Sequence, residues 1–98
     1  MKMKTKTKKE RAVLVTTEYK GVFFGYATET DGDIIHLRRA RNCLHWPIEN
    51  QGFLGLASDG PLAGSRVGPP ADITLRKITC VANVTPKAVE AWEKQPWS

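Results

Sequence analysis

Between residues 11 and 46 the chain carries three runs of β-branched and aromatic residues, separated by turn-forming residues, and this pattern restricts its fold more than any other feature. Arg11 to Thr17 places Val13 and Val15 on one side of an extended segment. Glu18-Tyr19-Lys20-Gly21 has turn chemistry. Val22 to Glu29 then resumes, with Val22, Phe24 and Tyr26 on one face and Phe23, Gly25 and Ala27 on the other. Gly25 has no side chain and therefore marks a bulge or the close approach of another group. Asp31-Gly32 is a strong hairpin signal, and Ile34 to Trp46 forms a third, long strand. Its apolar parity shifts from Ile35 and Leu37 to Leu44 and Trp46, which predicts a bulge near Arg38 to Arg41. The reading is an antiparallel meander.

The remainder completes a small α+β domain that is mainly β. Pro47 to Ala71 holds five glycines and four prolines and reads as a long Gly/Pro-rich loop. Within its apolar cluster Phe53-Leu54-Gly55-Leu56-Ala57, the side chains of Phe53, Leu54 and Leu56 are suited to plugging an open barrel end, as one helical turn. Ile73 to Val84 is extended, as one bent strand or two short ones. Thr85-Pro86 opens a C-terminal helix, with an N-cap hydroxyl and proline at the first helical position. Ala88, Val89 and Trp92 form its apolar stripe, and Pro96 stops it. The expected architecture is a meander curled into a small open, SH3-like barrel, with one C-terminal helix against it.

The net charge of +5 comes from one place. Residues 1–11 carry Lys2, Lys4, Lys6, Lys8, Lys9 and Arg11 against Glu10, whereas residues 12–98 hold nine basic and nine acidic groups. The division is therefore a flexible basic arm, 1–11, and a single β-rich domain, 12–98. The lysines could follow a nucleic-acid backbone or serve only as a solvated terminus. With no long apolar run and no signal-peptide core, the expected location is the cytosol.

No catalytic constellation is visible, so an enzyme is not expected, and neither is a cofactor. Cys43 and His45 lack the spacing partners of a metal site, and two cysteines make no disulfide framework. Gly60 to Gly68 resembles a phosphate loop but lacks its lysine and its spacing. Ser65 and Arg66 within it could still meet an anion or lie in a solvated loop.

The most suggestive cluster is Arg38, Arg39 and Arg41. Three guanidiniums on one strand need either carboxylate partners, with Glu18, Glu29, Asp31 and Asp33 the candidates, or an anionic ligand. Tyr26 and Trp46 offer flat surfaces on which a base could stack.

Gly21-Val22-Phe23-Phe24-Gly25-Tyr26, then Leu37-x-x-Ala40-Arg41-Asn42-Cys43-Leu44-x-Trp46, then Gly52-Phe53-Leu54-Gly55-Leu56 resemble a pattern found in small phage and prophage β-rich proteins. That resemblance implies an accessory product, such as a sponge that sequesters a nucleotide immune signal or an inhibitor of a host defence complex. The expectation is a non-catalytic homo-oligomer binding an anionic nucleotide-like small molecule. Arg38, Arg39, Arg41, Trp46, Tyr26, Ser65 and Arg66 would be its contacts. The alternatives are a nucleic-acid-binding module using the lysine arm, and a protein–protein inhibitor.

Overall fold

The computed structural model describes residues 9–18 and 21–96. Its strands are β1 (Arg11–Thr17), β2 (Val22–Ala27), β3 (Ile34–His45), β4 (Arg66–Val67), β5 (Ala71–Arg76) and β6 (Ile78–Asn83). Two α-helices, α1 (Gly52–Asp59) and α2 (Pro86–Lys94), and a 3₁₀ turn at Ile48–Asn50 complete it.

The meander forms as the alternation predicts: β1 pairs antiparallel with β2, and β2 with β3. The far half of β3 pairs with β4 and its near half with β5, while β6 pairs with β1. The result is one antiparallel sheet in the order β4-β3-β2-β1-β6, with β5 attached to β3. The extended segment after residue 70 is thus two strands, broken at Lys77, whose φ of 59° is left-handed. The sheet does not close, because β5 and β6 each pair with a different strand and not with each other.

The expected bulge is present and shapes everything downstream. Phe24 faces Arg41 and Tyr26 faces Arg38, so three residue steps on β3 oppose two on β2. β5 meets the same irregularity between Leu37 and Ala40. Arg39 absorbs the extra residue with φ 51°, a conformation that β-carbon sterics disfavour. Its N–H, lost to the ladder, donates to the Asp72 carboxylate at 2.9 Å. Opposite the bulge, a β-carbon on Gly25 would lie 3.0 Å from Leu37 Cβ and 3.3 Å from Ala40 Cα. The close approach inferred for Gly25 is therefore with β3 itself.

The bulge also reverses which side of β3 faces which core. Val13, Val15, Ala27, Ile35, Leu37 and Ala40 form one core, flanked by Ile73, Leu75, Ile78 and Val81. On the opposite face Leu14, Phe24, Cys43, Leu56, Val67, Ala88 and Trp92 form a second core beneath the helices. The residue buried after the parity switch is Cys43, while Leu44 is exposed.

The Gly/Pro-rich loop is the main correction. Much of 47–71 is ordered as the 3₁₀ turn, α1 and β4, so the described residues form two α-helices and not one. Two glycines within eight positions depress helix propensity and hide α1 in the sequence. Tertiary packing overrides that preference: Leu56 is fully buried, and a β-carbon at Gly55 would fall 1.5 Å from the Asn50 carbonyl oxygen. Asn50, itself buried, donates to Gly60 O at 2.8 Å and accepts from Leu62 N at 3.2 Å and Ser65 Oγ at 3.5 Å. Of the proposed plug, Leu56 is buried and Phe53 packs partly buried against the helix-side core, while Leu54 points outward.

α2 starts where its capping signal predicts. Thr85 Oγ1 accepts from Ala88 N at 3.1 Å and donates to Ser58 O at 2.7 Å, tying the two helices together. Trp92 stacks on Phe24 at 5.2 Å between ring centroids, and its indole N–H donates to Leu56 O at 3.1 Å. One side chain thereby joins α2, β2 and α1. Among the described residues, no helix is long and apolar enough to cross a membrane.

Candidate functional site

β2, β3 and the end of α2 enclose a cavity of about 290 Å³ lined by Phe24, Tyr26, Arg39, Arg41, Pro70, Glu93 and Gln95. Its position follows from the fold. Tyr26 continues the helix-side face of β2 beyond Phe24, the bulge turns Arg39 and Arg41 toward that region, and α2 delivers Glu93 one residue after Trp92.

The arginine trio divides into three environments. Arg38 is largely exposed and its Nε lies 3.4 Å from Glu10 Oε2. Arg39 reaches the same carboxylate at 4.0 Å and sets its guanidinium over the Tyr26 ring, 4.1 Å from the centroid. The carboxylate that meets both is Glu10, a residue outside the four acids expected from the sequence; Glu18 instead pairs with Lys77. Since Arg39 already covers a face of Tyr26, that face is no free stacking platform.

Arg41 is only 5% exposed. Nε donates to Gly68 O at 2.8 Å and Nη1 to Trp92 O at 2.7 Å, so the cation lies against carbonyls near the C-terminal end of α2, where the helix dipole favours positive charge. Among the described residues, Arg41 Nη2 is buried and has no hydrogen-bond partner. Buried donors are nearly always satisfied, so Arg41, a residue of the cavity lining, retains hydrogen-bonding capacity that the described residues do not use. Burial also lowers the guanidinium pKa below its ordinary value.

Across the cavity the Tyr26 hydroxyl donates to Glu93 Oε2. Burial first, then that hydrogen bond and the Glu93 charge, push the phenol's pKa well above its ordinary value, so it remains a donor. The cavity is consequently bipolar, with two guanidiniums on one part of its lining and one carboxylate on another.

The other sequence candidates lie elsewhere. Trp46 packs partly buried against the helix-side core. Ser65 is buried at Asn50, and its carbonyl accepts from Gln95 Nε2 at 3.3 Å, which places it behind the lining. Arg66 is exposed in β4 opposite His45. Lys2, Lys4, Lys6 and Lys8 fall outside the described residues, and Lys9 is exposed. Arg11 opens β1 and donates to Asn83 Oδ1 and Thr30 Oγ1, so its side chain is engaged with the domain.

Glu93, Gln95 and Pro70 were invisible as site residues because only the packing of α2 on the sheet brings them to β2. The partial signal was Glu93 directly after the buried Trp92. The Cys43 thiol hydrogen-bonds the His45 carbonyl oxygen, 3.7 Å away, and burial pushes its pKa up to about 11, which suppresses thiolate chemistry. Among the described residues, no group of three His, Cys, Asp or Glu side chains could hold a metal ion. A second hollow of about 550 Å³ near Gly21, Phe23 and Leu75 has mainly apolar walls and lacks this pairing of opposite charges.

Residues 10–92 match the family described as a domain of unknown function (DUF6948), and the chain belongs to it. Neither the curated proteins nor the solved structures yield a match.

Proposed function

We propose that this DUF6948 member is a non-catalytic binding module that captures a small anionic, nucleotide-like molecule in the cavity between β2, β3 and α2. The orphaned Nη2 of Arg41 carries the reading, since an anionic acceptor would complete its hydrogen bonding with a charge-assisted bond. Arg39, held over Tyr26 at the same cavity, supplies a second guanidinium. A volume of about 290 Å³ is near the lower end of the ~300–1,000 Å³ typical of small-molecule sites and favours one nucleotide unit over two.

On this reading the ligand-contacting set narrows to Tyr26, Arg39 and Arg41, with Glu93 and Gln95 added. The curled sheet serves as an SH3-like scaffold, with the kink at Lys77 carrying the chain from the strand paired to β3 to the strand paired to β1. The resemblance to phage and prophage proteins supplies a setting, sequestration of a nucleotide signal in a bacterial cytoplasm by a homo-oligomer.

Isothermal titration with nucleoside monophosphates, cyclic dinucleotides and cyclic ADP-ribose species tests the proposal, with native mass spectrometry reporting subunit number. Saturable binding that Arg41→Met abolishes is the expected result. Absence of heat across the whole panel would overturn it.

A further inference from the structure

The cavity's second polar element gives the ligand a direction. Glu93 contributes a carboxylate, which can only accept hydrogen bonds when ionised, and Tyr26 fills one of its roughly four lone-pair positions. Glu93, Tyr26, Arg39 and Arg41 line the same space, so the remaining positions are available to a molecule that enters it. A purely anionic molecule would be repelled there. A fitting molecule carries negative charge at the arginines and N–H groups at the carboxylate.

Base edges differ sharply by this criterion. Guanine offers two adjacent N–H donors on its pairing edge and matches a carboxylate in bidentate fashion. Adenine sets one donor beside a repelling ring nitrogen, and uracil sets one donor between two repelling carbonyls. We propose that the cavity selects a guanine mononucleotide, its phosphate at Arg39 and Arg41 and its base edge at Glu93. This rests on the anion-capture reading and sharpens it by naming the base.

Tyr26 acts here as a positioning residue. Its hydroxyl orients the Glu93 carboxylate, while the ring supports Arg39 from beneath. One aromatic side chain therefore holds a member of each polar group in place.

The test is calorimetric titration of the full chain with guanosine, adenosine and uridine monophosphates, and with inorganic phosphate as the probe of the anion end. Guanosine monophosphate should bind at least about tenfold more tightly than the other two nucleotides. Glu93→Gln, at an exposed position, should bring the guanosine-to-adenosine monophosphate affinity ratio close to one, and that ratio is the readout. Tyr26→Phe should reduce the preference in part. Equal affinity for all three nucleotides, or a guanine preference that survives Glu93→Gln, overturns base selection and leaves anion capture standing. Phosphate binding with no nucleotide binding has the same effect. Silence from all four probes removes both.

Discussion

The two faces of the sheet use the same strands for opposite purposes. The face of Val13, Val15, Ala27, Ile35, Leu37 and Ala40 has an aliphatic buried core, with Phe23 packed partly buried against it. The helix-covered face buries Phe24 and Trp92 beside Arg41, and the cavity opens at its margin. An aliphatic core is stabilised by area removed from water and needs no directional partners. A core containing a guanidinium must satisfy donors, and this one leaves a donor unmet. The contrast teaches that β3 serves both faces only because its bulge changes parity halfway along, with aliphatics before it and Arg41 and Cys43 after it.

Substitutions can break that contrast, beginning with the most damaging. Trp92→Ala should cost about 3–5 kcal/mol in urea unfolding, since it empties a fully buried site and removes the Phe24 stack and the bond to Leu56. Leu37→Ala, on the aliphatic face, should cost ~2–5 kcal/mol but leave ligand affinity intact in the folded fraction. Equal loss of affinity in both variants would show that the faces are not functionally separate.

Arg41→Met sharpens the comparison. A buried cation gains from its two carbonyl partners but loses hydration, so the stability change should stay within about 2 kcal/mol. Ligand affinity should nevertheless fall at least about tenfold by calorimetry. A larger collapse of stability with affinity retained would make Arg41 a structural cap for α2 and nothing more.

Arg39→Gly tests the bulge. Glycine adopts positive φ without strain, and this relief offsets the lost contact with Tyr26 and the greater freedom of the unfolded chain. Thermal unfolding should shift by no more than about 1 kcal/mol while binding is lost. The last test is a pH dependence. Cys43 is raised from 9.0 to about 11 in the folded protein, so the unfolded chain loses its thiol proton first as pH rises. The contribution is fully present below pH 9 and declines toward pH 11, and Cys43→Ala should flatten the melting profile over that window.

Local pattern revealed the strands and pairing of the meander, the bulge and the start of α2, because alternation, Asp31-Gly32 and Thr85-Pro86 act over a few residues. It missed β4 and indicated one helical turn where the whole of α1 forms, and Gly55 there is required by the passage of the Asn50 carbonyl and not by any local preference. The site was half legible. Arg39, Arg41 and Tyr26 belong to adjacent strands and came together as the meander implies. Glu93 and Gln95 arrive from more than fifty positions away through the burial of Trp92, and no sequence period encodes that. Trp46 follows the arginines closely in sequence and Arg66 pairs beside them on β4, yet neither they nor Ser65 line the cavity.

Asn50 carries a consequence for how the protein ages. Its single amide both gives and receives, holding Gly60 by one end and Leu62 and Ser65 by the other. Hydrolytic deamidation to aspartate would delete the giving end and set a negative charge against the Gly60 carbonyl. The connection between α1 and β4 would then come loose, so chemical wear at one atom would release the segment behind Gln95 before either core had changed.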